Sequence, residues 1–383
     1  MNRLNQLTEI HQSGKPYIIY KSKKGFNLYT NFSKKIILNN KNIKSFLTKK
    51  NKKKSKDTDL FIGFFGYELL NNLIDVKIPK QKNLNFPKGI FYKPEKKIKL
   101  SNKLNYDFEN FKSGNFKINI NRKNYTKIFN KFKKKIKSGE TYQIKICTKY
   151  KTKSKINPLD FFSRLSDTNL APEAFMIKDD NYSIISCSPE TLIIKEGSNI
   201  STKPIAGTVK KTKQLNKIKA LNYFRKNLKE TKEHNMIVDM ERNDLSRICK
   251  VGTVKLSKQK IVEEYKDLFH YVSLIKGKLK KNINNFEIIK AMMPGGSVIG
   301  CPKINTLNLL NNQEKENRNI YTGSFGYIKF NGDMRFNIII RSILNFKNIS
   351  EISVASGVVV DSNANHEFNE NFLKAKALID LFK

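Results

Sequence analysis

Four acidic residues carry the strongest chemical signal in this sequence. Glu230 and Glu233 stand three apart, and so do Glu367 and Glu370. Side chains three apart on a helix share a face, so each pair would point two carboxylates the same way. Two such helices brought together could hold one hard cation, and carboxylate oxygens with retained waters suit Mg²⁺. On spacing alone an acid pair more often belongs to a solvated helix face, so the reading depends on what surrounds it. Three segments put glycine beside a strand or a helix start: Pro204-Ile205-Ala206-Gly207-Thr208, Pro294-Gly295-Gly296-Ser297-Val298-Ile299-Gly300 and Ala355-Ser356-Gly357. There, backbone N–H groups can approach an anion, although ordinary turns would read the same. None is followed by the Gly-Lys-Ser/Thr of a Walker loop, and none has dinucleotide Gly-x-Gly-x-x-Gly spacing. Arg341 follows Ile338-Ile339-Ile340 and reads as a strand-end guanidinium suited to a carboxylate. Lys374 lies four residues after Glu370, on the same helix face, where a plain salt bridge is the simpler account. His270, between Phe269 and Tyr271, reads first as a satisfied core histidine, and no Gly-x-Ser-x-Gly elbow accompanies it.

These groups need elements to position them. Residues 1 to about 110 read as short strands broken by lysine-rich turns, with Tyr17–Tyr20 and Lys35–Leu38 as examples and Asn51 to Asp57 as a charged loop. Leu60 to Tyr67 is an apolar run whose glycines predict a buried strand with close backbone approach. A polar stretch from Lys112 to Lys123 suggests a boundary between a β-rich region, 1–115, and a larger region, 120–383. Tyr125, Ile128, Phe129, Phe132 and Ile136 have helical spacing, and Ser138-Gly139 stops that helix. Tyr142–Thr148, Ile184-Ile185, Leu192–Ile194 and Ile352–Val360 read as strands. Ile320–Phe330 and Met334–Leu344 read as a strand pair turning at Asn331-Gly332. Lys217–Val238, with breaks, and His366–Phe382 read as helices. Blocks of strands joined by hairpins and helices predict an α+β fold with antiparallel sheet.

Composition bounds the rest. The chain has 383 residues, 39% of them hydrophobic, enough for a sizeable core. No run of 18 apolar residues predicts a membrane span, and Met1 to Lys15 lacks a signal-peptide centre, so a cytoplasmic protein with no membrane partner is expected. Cys147, Cys187, Cys249 and Cys301 are far apart and read as reduced thiols. The net charge of +41 raises nucleic-acid binding as a separate reading. The lysines are spread along the whole chain and arginine is scarce beside them, so no specific nucleic-acid partner is expected.

Read in order, the segments resemble the chorismate-utilising enzymes, which include anthranilate, aminodeoxychorismate, isochorismate and salicylate synthases. The resemblance rests on Gly139 to Gln143, Ser188-Pro189-Glu190, Pro204 to Thr208, Glu233 to Asp239, Arg242-Asn243-Asp244, Pro294 to Lys303, Tyr321-Thr322-Gly323, Arg341, Asp361-Ser362 and Glu370 to Lys374, with Phe65-Gly66-Tyr67 as an N-terminal outpost. It implies two facing, largely antiparallel sheets with outer helices and a site between them. It also implies a Mg²⁺ site at Glu230, Glu233, Glu367 and Glu370. Lys374 and the backbone at Gly357 would hold a carboxylate, Arg341 and Tyr321 the enolpyruvyl group, and Gly207 and Ser297 would border the substrate. Glu190 would protonate the departing C4 hydroxyl, with His270 and Thr208 lining the ring. In members that add water, the position of Gln143 resembles a lysine that acts as base. Glutamine cannot do this, so the resemblance implies amination of chorismate by ammonia from a glutaminase subunit.

Two branches stay open. Ala206 stands where many aminodeoxychorismate synthases resemble one another in a nucleophilic lysine, which points to anthranilate. The chain lacks the Leu-Leu-Glu-Ser segment that resembles a tryptophan feedback site, and its segments at 294–297, 321–324 and 331–334 look more like the aminodeoxychorismate branch. The preferred expectation is therefore 4-amino-4-deoxychorismate, for para-aminobenzoate and folate synthesis, with anthranilate as the alternative. Ala355, Cys301 and Arg335 depart from the family pattern.

Overall fold

A computed structural model describes residues 3–22, 24–49, 56–74, 76, 86–101, 103–104, 114–168, 171–265 and 268–383. Residues 51–55 of the expected charged loop, and 112–113 of the expected boundary, lie outside the described residues.

Among the described residues, eighteen strands join in one hydrogen-bonded, antiparallel series. It runs from Gln143–Lys153 through Ile349–Val358, Ser342–Phe346, Tyr182–Ser188 and Glu173–Lys178 to Tyr17–Ser22. From there it continues through Gly25–Ile37, Gly89–Leu100, Leu60–Phe65, Ser324–Lys329, Met334–Asn337, Thr191–Glu196 and Asn199–Lys203 to Leu268–Lys278. The α+β class agrees with the sequence reading. The expected layers are the two wings of one strand series, and strands from residues 17–100 form its middle.

Local sequence accounts for the elements. Leu60–Phe65 is buried along its whole length, and a Cβ on Gly63 would stand 1.9 Å from the Ile90 carbonyl oxygen, so only glycine permits that pairing. Helix Arg122–Lys137 buries Tyr125, Phe129, Phe132 and Ile136; Asn121 caps its start, and Gly139, at φ 78°, follows its end. The expected helix over 217–238 is two helices, Lys217–Lys226 and Leu228–Ile248. They break at Asn227, whose side chain accepts from the Glu230 N–H at 3.2 Å and starts the second helix.

The strand expected over 334–344 requires correction. Met334–Asn337 pairs with Thr191–Glu196, and Ser342–Phe346 pairs with Tyr182–Ser188. Between them Ile338–Arg341 leaves the ladder, opposite the kink at Pro189-Glu190 on the partner side. The Ile338 N–H donates to the Glu190 carbonyl at 3.1 Å, and the Cys187 N–H donates to the Arg341 carbonyl at 3.2 Å. Arg341 is therefore not at the end of an Ile338–Ile340 strand. It sits at φ 51° just before the next strand, a conformation rare for a residue with a Cβ. The double kink sets Glu190 and Arg341 at facing breaks in the ladder.

Candidate active site

Helix Leu228–Ile248 packs on Ile205–Lys210 and Leu268–Lys278, on one wing. Helix Ala364–Ile379 packs on Ile349–Val358, next to Gln143–Lys153 on the other. Two hydrogen bonds span the gap, and in the first the Gln143 amide donates to Glu233 Oε1 at 2.8 Å. Lys145, two residues on and therefore on the same strand face, donates to that oxygen at 3.1 Å. The Lys145 ammonium, acting against burial, holds Glu233 down at about 2.

The second acidic pair faces the same lysine. Burial acts to lower Lys145, but Glu233, Glu370 and Glu367 outweigh it and keep the ammonium above its ordinary range. Lys374 pairs with Glu370 at 2.5 Å and donates to the Ala355 carbonyl at 3.1 Å. Burial raises Glu370, yet Lys374 and Lys145 bring it below the usual carboxylate value. Glu367 is buried, and its carboxylate, that of Glu370 and the exposed His366 ring offer ligand atoms within 4.8 Å of one another. Glu230, on the first turn of its helix, lies against Gly207: a Cβ there would be 3.0 Å from Glu230 Oε2 and 2.9 Å from the Phe224 ring. Gly207 has φ 95°, which also favours glycine.

Glu190 is 4% exposed. Burial pushes its carboxyl up to about 7, against the lowering effect of Ser297, whose hydroxyl donates to Oε1 at 2.7 Å. Thr208 and His270 face one another across the Ile205–Lys210/Leu268–Lys278 ladder, Oγ1 to Nδ1 at 2.8 Å. Burial first and Arg341 second push His270 down to about 4, so this ring is neutral. Tyr321 is buried with Cys147 and Ala355, and burial raises its hydroxyl well above the usual range. Gly357 lies beside the polar centre: a Cβ would be 2.7 Å from Lys145 Nζ and 2.9 Å from Gln143 Nε2. Ala206 is buried with Ile237 and Met240 and offers no nucleophile.

Two groups escaped the sequence reading. Lys145 was legible from period-two spacing after Gln143. Glu241 was legible as two further i+4 steps from Glu233 on one helix face. Glu241 is 1% exposed, its Oε2 accepts from Thr202 at 2.5 Å, and Oε1 has no hydrogen-bond partner among the described residues. Burial and the nearby Glu190 hold it well above the usual carboxylate range. The departure at Arg335 has a local reason, since its guanidinium pairs with the buried Glu173 at 2.5 Å. A cleft of about 380 Å³ elsewhere, containing Asn119, Phe132, Lys149 and Glu314, holds none of the acidic cluster.

Carboxylates and lysines from both wings, with a buried acid between, are a constellation for holding an anion and a hard cation and for delivering a proton. A family model described as chorismate binding enzyme matches residues 10–380. The chain belongs to the chorismate-binding enzyme family. Aminodeoxychorismate synthase component 1 of Bacillus subtilis is 34% identical over 267 residues, which cover 70% of this chain and 57% of that protein. The chain thus spans little more than half the length of that relative. An anthranilate synthase component I-like protein of Synechocystis is 32% identical over 347 residues, covering 83% and 72%. Among solved structures, anthranilate synthase component I from Streptococcus pneumoniae superposes with TM-score 0.78 at 25% identity, covering 94% of this chain and 89% of that one. The menaquinone-specific isochorismate synthase of Escherichia coli shares the fold, with TM-score 0.79 at 14% identity over 100% and 92% of the two chains. Among the described residues of this chorismate-binding enzyme, no helix is long and apolar enough to cross a membrane.

Proposed function

We propose that this chain aminates chorismate in a Mg²⁺-dependent reaction, taking ammonia from a glutamine amidotransferase partner and giving 4-amino-4-deoxychorismate. The observation that carries the reading is Gln143. Its amide is a donor to Glu233, not a base, and the Lys145 amine beside it is held protonated by the carboxylates around it. Neither group can take a proton from water. Ammonia is already a nucleophile and needs no such base.

Donor chemistry supports a metal at the acidic cluster. Glu233, Glu367 and Glu370 offer carboxylate oxygens from two helices, and Glu230 adds a fourth behind Gly207. Hard oxygen donors fit Mg²⁺. When bound, Mg²⁺ neutralises the ring carboxylate and draws charge from the ring. Lys374 and the Gly357 backbone orient that carboxylate, and Arg341 and Tyr321 hold the enolpyruvyl arm. Glu190, neutral up to about 7, donates its proton to the departing C4 hydroxyl, with the Ser297 hydroxyl fixing its orientation. Thr208 and neutral His270 line the ring.

Buried Ala206 supports a second reading, anthranilate synthase, in which the amine enters at C2 and pyruvate leaves. One assay decides. Purified chain is incubated with chorismate, Mg²⁺ and ammonium, and the product is identified by mass and fluorescence. A C4-aminated product that keeps its enolpyruvyl group is expected. Fluorescent anthranilate with pyruvate would select the second reading, and isochorismate would overturn both.

A further inference from the structure

The metal reading leaves one group unexplained. Lys145 Nζ stands 3.1 Å from Glu233 Oε1, and its strongest electrostatic partners are Glu233, Glu370 and Glu367. These are the carboxylates of both helices that would ligate the cation. The side chain is only 14% exposed and is packed over Gly357, where even one added carbon would come within 2.7 Å of the ammonium. It has little room to leave the cluster toward the Gly357 strand. Lys374 differs: its side chain is 45% exposed, it sits on the rim, and it can turn to solvent. An ammonium is a compact point charge. Two cations sharing one carboxylate at contact distance repel strongly in a half-buried site.

We propose that Lys145 is a built-in cation that holds the acidic cluster together when no divalent ion is bound and that competes directly with that ion for Glu233. Metal entry then requires Lys145 to release Glu233 and turn into the space between the wings, where it meets the negative charge of an arriving substrate carboxylate. Affinity for the free divalent ion is lowered by this competition, and the protein favours the ion together with an anionic ligand. The inference rests on the Mg²⁺ reading above.

The test measures Mn²⁺ binding to the full chain, by calorimetry or by the loss of the free-ion electron paramagnetic resonance signal, without substrate. Lys145→Met should bind Mn²⁺ more tightly than the parent by about tenfold or more, because one nearby like charge is gone. Lys145→Arg keeps the charge and should remain within about threefold of the parent. Benzoate, as a probe for a ring carboxylate, should tighten Mn²⁺ binding to the parent and have a smaller effect on Lys145→Met. If Lys145→Met proves unfolded by its thermal transition, Lys145→Gln, which repeats the neighbouring Gln143 side chain, takes its place. Unchanged or weaker Mn²⁺ binding in the neutral variants would overturn the competition while leaving the metal site standing. No Mn²⁺ binding by parent or variants, with or without benzoate, would overturn the metal site and the competition together.

Discussion

At the residue scale the site sets one carboxyl against another. Glu190 is raised to about 7 by burial, and Glu233 is lowered to about 2 by Lys145. The first can donate a proton near neutrality and the second can serve as a charged ligand. The sign for Glu190 follows from linkage. Its folded value lies above its ordinary 4.5, so the folded chain binds the extra proton between those values, and stability falls as pH rises from about 4.5 to about 7. Glu190→Gln removes that slope and should unfold at a higher temperature than the parent at pH 7. The same substitution should reduce kcat by about 10²–10⁴-fold, the usual worth of a positioned acid. At fixed free ammonia the parent's rate should fall as pH passes about 7, and a rate still rising there would remove Glu190 from the acid's role. Gly357 gives a second residue-scale prediction. Gly357→Ala presses on the ends of two flexible side chains, Lys145 and Gln143, so the thermal transition should move by only a few degrees. Chorismate KM should rise clearly, because the added methyl intrudes where the Gly357 backbone would meet the substrate carboxylate.

At the scale of elements, helix starts and strand kinks do the positioning. Asn227 ends one helix and caps the next, and Glu230 and Glu233 ride on the first turns after that cap. Asn227→Ala should cost about 1 kcal/mol in urea unfolding and weaken Mn²⁺ binding as well, since fraying there loosens two carboxylates. Unchanged Mn²⁺ affinity would show that the cap serves the fold alone. Features of this kind were legible in part. The i, i+3 acids, the helix from Tyr125 and the buried strand over 60–67 follow from local periodicity and glycine placement, and the structure has that helix at Arg122–Lys137 and that strand at Leu60–Phe65. The kink at 338–341 was not legible, because Ile338-Ile339-Ile340 has no period to distinguish strand from crossover. Its cause is non-local: residues 334–337 and 342–346 pair with strands on either side of Pro189-Glu190. Lys145 was legible only in part, for a related reason. Period two puts it on the face of Gln143, but the acids that meet it come from two helices distant in sequence.

At the scale of the whole molecule, charge is the dominant departure from an ordinary enzyme. Lysine and arginine total 74 against 33 acids, for a net charge of +41. Several of the lysine–acid pairs are half exposed, such as Lys135–Glu140 and Lys211–Glu264, and exposed pairs contribute little. Like-charge repulsion therefore opposes compaction over the surface as a whole. Salt shortens its range, from about 30 Å at 0.01 M to about 8 Å at 0.15 M. The melting temperature should consequently rise over that interval, opposite to the response of a protein held by surface ion pairs. The same surface should bind random duplex DNA at low salt and release it steeply as salt increases, with no preference among sequences. Sequence-selective binding that survives 0.15 M salt, or a melting temperature that falls with salt, would show that the lysines are arranged for a partner. The lysines at the centre belong to a different regime. Lys145 lies inside the carboxylate cluster, well within one Debye length of its partners, so its competition with a divalent ion should persist at salt concentrations that silence the surface.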